Sequence, residues 1–131
     1  MIVVDSSAMT ELLLETPRGR RVEERLFRDG EALHAPHVMD VEVLRALRRF
    51  VLKGDITAER AETALADLVD FRIRRHEHYG FLFRAWQLRN NLAAYDAMYV
   101  AIAEALDAVV VTCDAPMGNA PGHSALVEVI G

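Results

Sequence analysis

Two aspartates from opposite ends of the 131-residue chain each follow a short run of apolar residues. Asp5 comes directly after the run 2–4, and Asp114 closely follows the run 108–111. Such runs are typical of buried strands, and the ligands of α/β sheets bind at the carboxyl ends of strands. If these two strands are parallel neighbours, both carboxylates lie close together at one edge of the sheet.

A third carboxylate, Asp96, stands at the start of a segment that is otherwise apolar. It is the only charged residue between Arg89 and Glu104. An unpaired carboxylate buried there would carry a large desolvation cost, so it needs a partner. Capping of a helix N-terminus is the structural alternative for Asp96 and for Asp5. Three acids in such positions favour a functional cluster over three separate caps.

A fourth acid is expected in the helix that follows Pro36, where Asp40 and Glu42 both lie in the first turns. On a helical wheel Asp40 lies near the middle of the apolar stripe, whereas Glu42 lies at its margin. The pattern therefore leaves the choice between these two residues open.

Carboxylates that are brought together repel one another unless a cation compensates their charge. The cluster therefore predicts a hard divalent cation, Mg²⁺ or Mn²⁺, held by carboxylate oxygens. Such an ion polarises a phosphoryl oxygen and lowers the pKa of bound water, which is the chemistry of phosphodiester hydrolysis.

Strand and helix patterns alternate along the chain, which predicts an α/β fold with a mostly parallel sheet of four or five strands covered by helices. Thr57 is the expected N-cap of one helix, and Pro17 and Gly19 are expected to end the first helix. The predicted strands are 2–4, 32–34, 71–75, 108–111 and 125–130, and the predicted helices are 8–14, 20–29, 37–53, 57–70, 79–90 and 93–107.

Composition limits the classes of protein that fit. The length indicates one domain spanning 1–131, and a content of 52% hydrophobic residues allows a sizeable core. The net charge of -5 argues against coating of nucleic acid through bulk electrostatics. The single cysteine, Cys113, excludes an internal disulfide and indicates a reducing compartment. No apolar run is long enough to span a bilayer, so we expect a cytoplasmic protein with no membrane partner.

Four segments of the sequence resemble the four acidic motifs of PIN-domain ribonucleases. They are VVDSSAM, APHVMDVEVLRAL, YDAMYVAIA and VVVTCDA, and their spacing extends over essentially the whole chain. Within that family the chain is most similar to the VapC toxins of bacterial VapBC toxin-antitoxin modules. It shares their length and a closing strand of the type APGHSALVEVI.

The resemblance implies a PIN-like three-layer sandwich and an endoribonuclease that depends on Mg²⁺ or Mn²⁺. It also implies a homodimer that is inhibited by a cognate VapB-type antitoxin. Between the two candidates for the fourth acid, it favours Glu42 over Asp40. Carried over by motif, the catalytic and metal-binding acids are Asp5, Glu42, Asp96 and Asp114, and the pocket-lining hydroxyls are Ser7 and Thr112.

Basic residues follow Glu42 along the same predicted helix. They would neutralise phosphates if the substrate is RNA, but a solvated helix face or an antitoxin interface explains them equally well. Trp86 and Tyr79 have rings that can stack on bases, although their helical spacing with Phe83 favours packing in the core or in a dimer. The possible RNA or antitoxin contacts are Arg45, Arg48, Arg49 and Lys53.

The sequence departs from the family pattern after the fourth acid. Ala115, Pro116 and Met117 stand where a basic residue and a leucine are common. Because all four acids are present, we expect this departure to affect substrate contacts and the strength of activity rather than metal binding. The alternative function is a non-catalytic PIN-like module that binds RNA or a protein, and metal-dependent turnover separates the two hypotheses.

Overall fold

Five short strands form a single sheet in the computed structural model, which describes residues 1–131. The strands are β1 (Ile2–Val4), β2 (Leu33–Pro36), β3 (Arg74–His76), β4 (Val109–Thr112) and β5 (Leu126–Val129). Their order across the sheet is β3-β2-β1-β4-β5, and every neighbouring pair is parallel. The predicted α/β fold with a parallel sheet is confirmed.

The centre of the sheet is the pair formed by β1 and β4, in which Val4 lies beside Val111. The chain builds one half of the sheet outward from β1 through β2 to β3, and then returns to place β4 on the other side of β1. The strand order therefore reverses between β1 and β4. In open α/β sheets this switch point is where a crevice forms at the carboxyl ends of the strands.

Seven α-helices and one 3₁₀ turn connect the strands and cover the sheet. The central part of one of them, residues 97–103, is buried on every side, which explains its continuous apolar run. No helix combines the length and the apolarity needed to cross a membrane. The helices are α1 (Ser6–Leu13), α2 (Pro17–Phe27), α3 (Val38–Lys53), α4 (Ala58–Asp70), α5 (Leu82–Gln87), α6 (Ala94–Leu106) and α7 (Ala115–Asn119), and the 3₁₀ turn is Tyr79–Phe81.

Two predicted features of the helices have different outcomes. Thr57 caps α4 as predicted, since its side chain accepts a hydrogen bond of 3.1 Å from the amide of Arg60. The predicted helix at 20–29 starts three residues too late, because Pro17 begins α2 and Gly19 lies inside it. Proline is well tolerated in the first helical turn, where its missing N–H would have no partner in the helix.

Two other element boundaries are wrong, and one helix lies where no element was predicted. β3 runs over Arg74–His76 instead of 71–75, because Phe71 ends α4 and packs on the core before the strand begins. The predicted helix at 79–90 is a 3₁₀ turn followed by the shorter α5. The segment after Asp114 forms α7, and Met117 is 1% exposed in the hydrophobic core. Met117 is therefore a core residue rather than part of an altered substrate contact.

Candidate active site

Four carboxylates from four elements converge at the carboxyl edge of the sheet. Asp5 follows β1, Asp114 follows β4, Asp96 lies in the first turn of α6 and Glu42 lies in the second turn of α3. The charge of Asp96 is repelled by the other three acids, that of Asp5 by Asp114, and that of Glu42 by Asp5. The structure thus brings together all four acids named from the sequence.

Asp5 is the most firmly held of the four. It is 3% exposed, and its Oδ1 accepts hydrogen bonds from the Ser7 hydroxyl at 2.7 Å and from the Ala8 amide at 3.0 Å. Its Oδ2 accepts a bond of 2.6 Å from the Thr112 hydroxyl. Burial raises the pKa of Asp5, and these hydrogen bonds only partly offset that effect. Asp5 both caps α1 and faces the other acids. For this residue, capping and membership of the acidic cluster are therefore not alternatives, since both are true.

The two hydroxyl residues named from the motifs both contact Asp5, Ser7 from the first turn of α1 and Thr112 from the end of β4. Each donates to a different oxygen of Asp5. Each also accepts a backbone N–H: Ser7 Oγ accepts that of Cys113 at 2.9 Å, and Thr112 Oγ1 accepts that of Asp114 at 2.9 Å. These bonds connect the carboxylate of Asp5 to the backbone that carries Asp114, so both acids are fixed relative to one another.

Among the four acids, Asp96 has the negative charge that its surroundings compensate least. Burial and then the charges of Asp114, Asp5 and Glu42 raise its pKa to about 6. Ala93 occupies the N-cap position of α6, so Asp96 is not the cap of this helix. The helix dipole favours an acid in the first turn, but no cationic side chain pairs with it. The capping alternative is wrong for Asp96.

The structure separates the two candidates for the fourth acid. Glu42 Oε1 accepts a hydrogen bond of 2.7 Å from the Tyr99 hydroxyl, and the carboxylate faces the cluster. Asp40 instead accepts a bond of 2.7 Å from Arg75 Nε, which connects α3 to β3. Burial raises the pKa of Glu42, and the bond from Tyr99 opposes this rise.

Sequence reasoning missed Tyr99, which it treated as part of an apolar run. A signal was present, because a tyrosine in a helix buried on every side needs a hydrogen-bond partner for its hydroxyl. Tyr99 also follows Asp96 by three residues, a spacing that places both on one face of α6.

The chemistry of the donor set suits a hard divalent cation, since every candidate ligand is a carboxylate oxygen. Burial and, after it, the negative charges of the other three acids raise the pKa of Asp96, and a cation would neutralise that repulsion. No three His, Cys, Asp or Glu side chains are arranged in the geometry of a finished metal site. The four acids therefore fit Mg²⁺ or Mn²⁺ by the chemistry of their donor atoms.

A groove of about 370 Å³ adjoins the cluster, between α1, α2 and α3, and Glu42 lies in its wall. Arg45 and Arg49 line this groove, as does Arg18 from α2, which sequence reasoning missed and which donates a hydrogen bond of 2.8 Å to Glu11 of α1. Arg48 and Lys53 are exposed on α3 outside the groove. Of the four basic residues named as possible contacts, the structure therefore brings two beside the acids.

An apolar surface lies on another part of the molecule. It consists of Tyr79, Leu82, Phe83, Trp86 and Tyr95, and we call it the aromatic surface. Phe83 is 86% exposed and Trp86 is 64% exposed, so of the two predicted alternatives, packing in the core is wrong and packing in a dimer stays a prediction. Exposed apolar clusters of this kind mark interaction sites in soluble proteins.

The chain is similar to known proteins both in sequence and in fold. A family model described as "PIN domain" matches residues 2–121. Ribonuclease VapC12 of Mycobacterium tuberculosis is 38% identical over 130 residues, which cover 99% of both chains. Among solved structures, the Mycobacterium tuberculosis toxin VapC20, described as cleaving the sarcin-ricin loop, superposes with a TM-score of 0.69 at 15% identity and covers 91% of this chain and 92% of its own. A chain of the Rickettsia felis VapBC2 complex with promoter DNA has a TM-score of 0.70 at 14% identity and covers 98% of both chains.

Proposed function

The chain belongs to the PIN domain family, in the branch of VapC ribonucleases, and on that premise we propose that it is a metal-dependent endoribonuclease toxin that hydrolyses RNA phosphodiester bonds. The observation that carries the proposal is the group of four carboxylates at the switch point of the sheet. Arg45 and Arg49 form no salt bridge in the adjoining groove and supply local positive charge for a polyanion, although Arg18 is paired with Glu11 and the chain as a whole carries a net charge of -5.

The way each acid is held suggests its part in the reaction. A Mg²⁺ or Mn²⁺ ion held by Asp5, Asp96, Asp114 and Glu42 would polarise the scissile phosphodiester and acidify an attacking water. Asp5 is a rigid ligand, because three hydrogen bonds fix its two oxygens before anything binds. Asp96 is the ligand whose charge most needs compensation.

The groove gives RNA a path to the acids. Arg45 and Arg49 project from the same helix as Glu42, one and two turns further on, so phosphates that contact them would follow the axis of α3 toward the cluster. Arg48 and Lys53 lie outside the groove, where they would contact a longer RNA or a protein partner. Binding is expected to weaken with added salt, since each phosphate contact releases counterions.

Cleavage of RNA by the purified protein is expected to require added Mg²⁺ or Mn²⁺. EDTA should reduce the rate to that of buffer alone, and a restored excess of the ion should recover it, because carboxylates without a cation repel the phosphate. Gel analysis of structured and unstructured RNA tests this, since the sequence leaves the choice among transfer, ribosomal and messenger RNA open.

The opposite result would support the alternative function. If the protein binds RNA but cuts no substrate under any metal condition, while EDTA changes nothing, the nuclease proposal is wrong. A non-catalytic PIN-like binding module would then take its place.

A VapB-type antitoxin is the proposed protein partner, acting with this chain in the cytoplasm. Support comes from the similarity of the fold to the chain from a VapBC complex. A short reading frame next to the gene would supply the candidate. Co-expression should yield a complex that purifies together and has lower RNA cleavage than the free chain, whereas independent elution with full activity would contradict the partnership.

The aromatic surface is the proposed homodimer interface, because burying five large apolar side chains against a second copy removes them from water. We expect light scattering to give twice the chain mass of 14.7 kDa for the wild type. Phe83→Asp places a charge at the most exposed ring and should shift the mass to that of one chain at micromolar concentration.

Val69→Asp is the matched control for this measurement. Val69 is 78% exposed on α4 and lies outside the aromatic surface, so its replacement should leave the dimer intact. A monomeric wild type, or a dimer that survives Phe83→Asp, would exclude this interface.

A further inference from the structure

The hydroxyl of Tyr99 joins two helices that each carry one of the acids. Tyr99 is 0% exposed, and its Oη donates to Glu42 Oε1 at 2.7 Å. This is the only side-chain hydrogen bond between α6 and α3. A buried phenol requires a partner, and here the partner is a carboxylate of the active site rather than a backbone carbonyl.

The contact between Tyr99 and Glu42 also links Glu42 to Asp96, because Asp96 and Tyr99 lie close together along α6. Asp96 and Tyr99 are separated by three residues and occupy one face of the helix. One turn of α6 therefore supplies a carboxylate of its own and also holds a carboxylate that arrives from α3. The positions of Asp96 and Glu42 are coupled through the rigid backbone of that turn.

Glu42 needs such a restraint more than the other acids. Its side chain is long and only half-buried, and it borders the open groove. The charge of Asp5 repels it, and free rotamers would carry the carboxylate into the groove, toward Arg45. A charge-assisted hydrogen bond from a fixed phenol opposes both tendencies.

We propose that Tyr99 is a positioning residue of the nuclease site, which holds Glu42 within reach of the other three acids so that they can share one divalent cation. The inference rests on the proposed function for the identity of the site. Tyr99 touches neither substrate nor cation, and it acts only through Glu42. Partners that orient metal ligands in this way commonly change metal affinity by 10- to 100-fold when they are removed.

The test is a double-mutant cycle with Tyr99→Phe and Glu42→Ala, read out by calorimetric titration of the metal-free protein with Mn²⁺. Phe retains the buried ring, so thermal unfolding should confirm an intact fold. Tyr99→Phe is expected to weaken Mn²⁺ binding about tenfold. In the Glu42→Ala background the same substitution should have no further effect, because the group that Tyr99 positions has been removed.

Thr63→Val is the matched control, since it removes a hydroxyl from an exposed side chain of α4 that belongs neither to the acidic cluster nor to the aromatic surface. It should leave Mn²⁺ affinity unchanged. RNA cleavage is measured in parallel, and Tyr99→Phe should lower kcat at limiting Mn²⁺ while the KM for RNA stays constant, a difference that general loss of structure would not produce.

The outcomes separate this inference from the proposed function. A Mn²⁺ affinity that is unchanged in a folded Tyr99→Phe variant, or effects that add fully in the double variant, would overturn the role of Tyr99. Coupled Mn²⁺ binding without any RNA cleavage by the wild type would support the role of Tyr99 and overturn the nuclease proposal. A wild type that binds no Mn²⁺ would overturn the shared cation site and this inference together.

Discussion

Replacement of Asp96 by Asn is expected to abolish RNA cleavage and at the same time to stabilise the metal-free protein. Removal of an outer partner of a metal ligand costs about 10- to 100-fold, so loss of a ligand itself should cost at least about 100-fold. Burial and then repulsion by Asp114, Asp5 and Glu42 raise the pKa of Asp96 to about 6. Stability should rise because a neutral amide has a smaller desolvation cost and is not repelled by these charges.

The gain in stability is greatest at a pH where Asp96 is fully ionised. A carboxylate whose pKa is raised in the folded state destabilises that state above the raised value, and the penalty fades as the pH falls toward the unfolded value. Because Asp96 is partly solvated, the penalty is discounted to about 1 kcal/mol. At pH 8 this corresponds to a rise in Tm of roughly 3 °C, measured by thermal unfolding in EDTA.

Asp70→Asn controls for the loss of one negative charge. Asp70 is exposed at the end of α4, away from the cluster, so this variant should keep full cleavage activity. Asp5→Asn should also lose activity, but without the gain in stability, because the side chain of Asp5 accepts three hydrogen bonds. Cleavage retained by a folded Asp96→Asn variant would show that the acids are not catalytic.

Replacement of Gly19 by Ala is expected to have the largest effect on stability. A Cβ atom at this position would lie 1.9 Å from the backbone oxygen of Glu11 and 2.4 Å from its carbonyl carbon. The contact is between the backbones of α1 and α2, so no flexible side chain can move aside. We expect a loss of about 3 kcal/mol in the free energy of unfolding, at the upper end of the range for overpacking.

A loss of stability in Gly19→Ala would indicate close packing of α1 on α2, because helix propensity alone predicts a gain in stability. Alanine is favoured over glycine in a helix interior by about 1 kcal/mol. Gly80→Ala is the control, since a Cβ there meets no atom within 4 Å, and it should change stability little. Urea denaturation measures both variants, and a Gly19→Ala protein as stable as wild type would contradict the close packing of α1 on α2.

The fold class and the acids were accessible from the sequence because both depend on local patterns. A buried parallel strand must be a continuous apolar run, so the runs before Asp5 and Asp114 predicted neighbouring strands, and the structure places Val4 beside Val111. The single charge at the start of a helix buried on every side indicated Asp96. Resemblance to a family then named Glu42, which the helical wheel could not choose over Asp40.

The tertiary structure alone decided which groups meet. Glu42 and Asp40 have nearly the same local context, and they differ because α6 presents the Tyr99 hydroxyl to one while β3 presents Arg75 to the other. Likewise, the spacing of Phe83 and Trp86 is the same for a core helix and for an exposed apolar face, and only the packing of α5 leaves these rings in solvent. Periodicity records which residues share a face of an element, whereas the partner of that face is set by elements distant in the sequence.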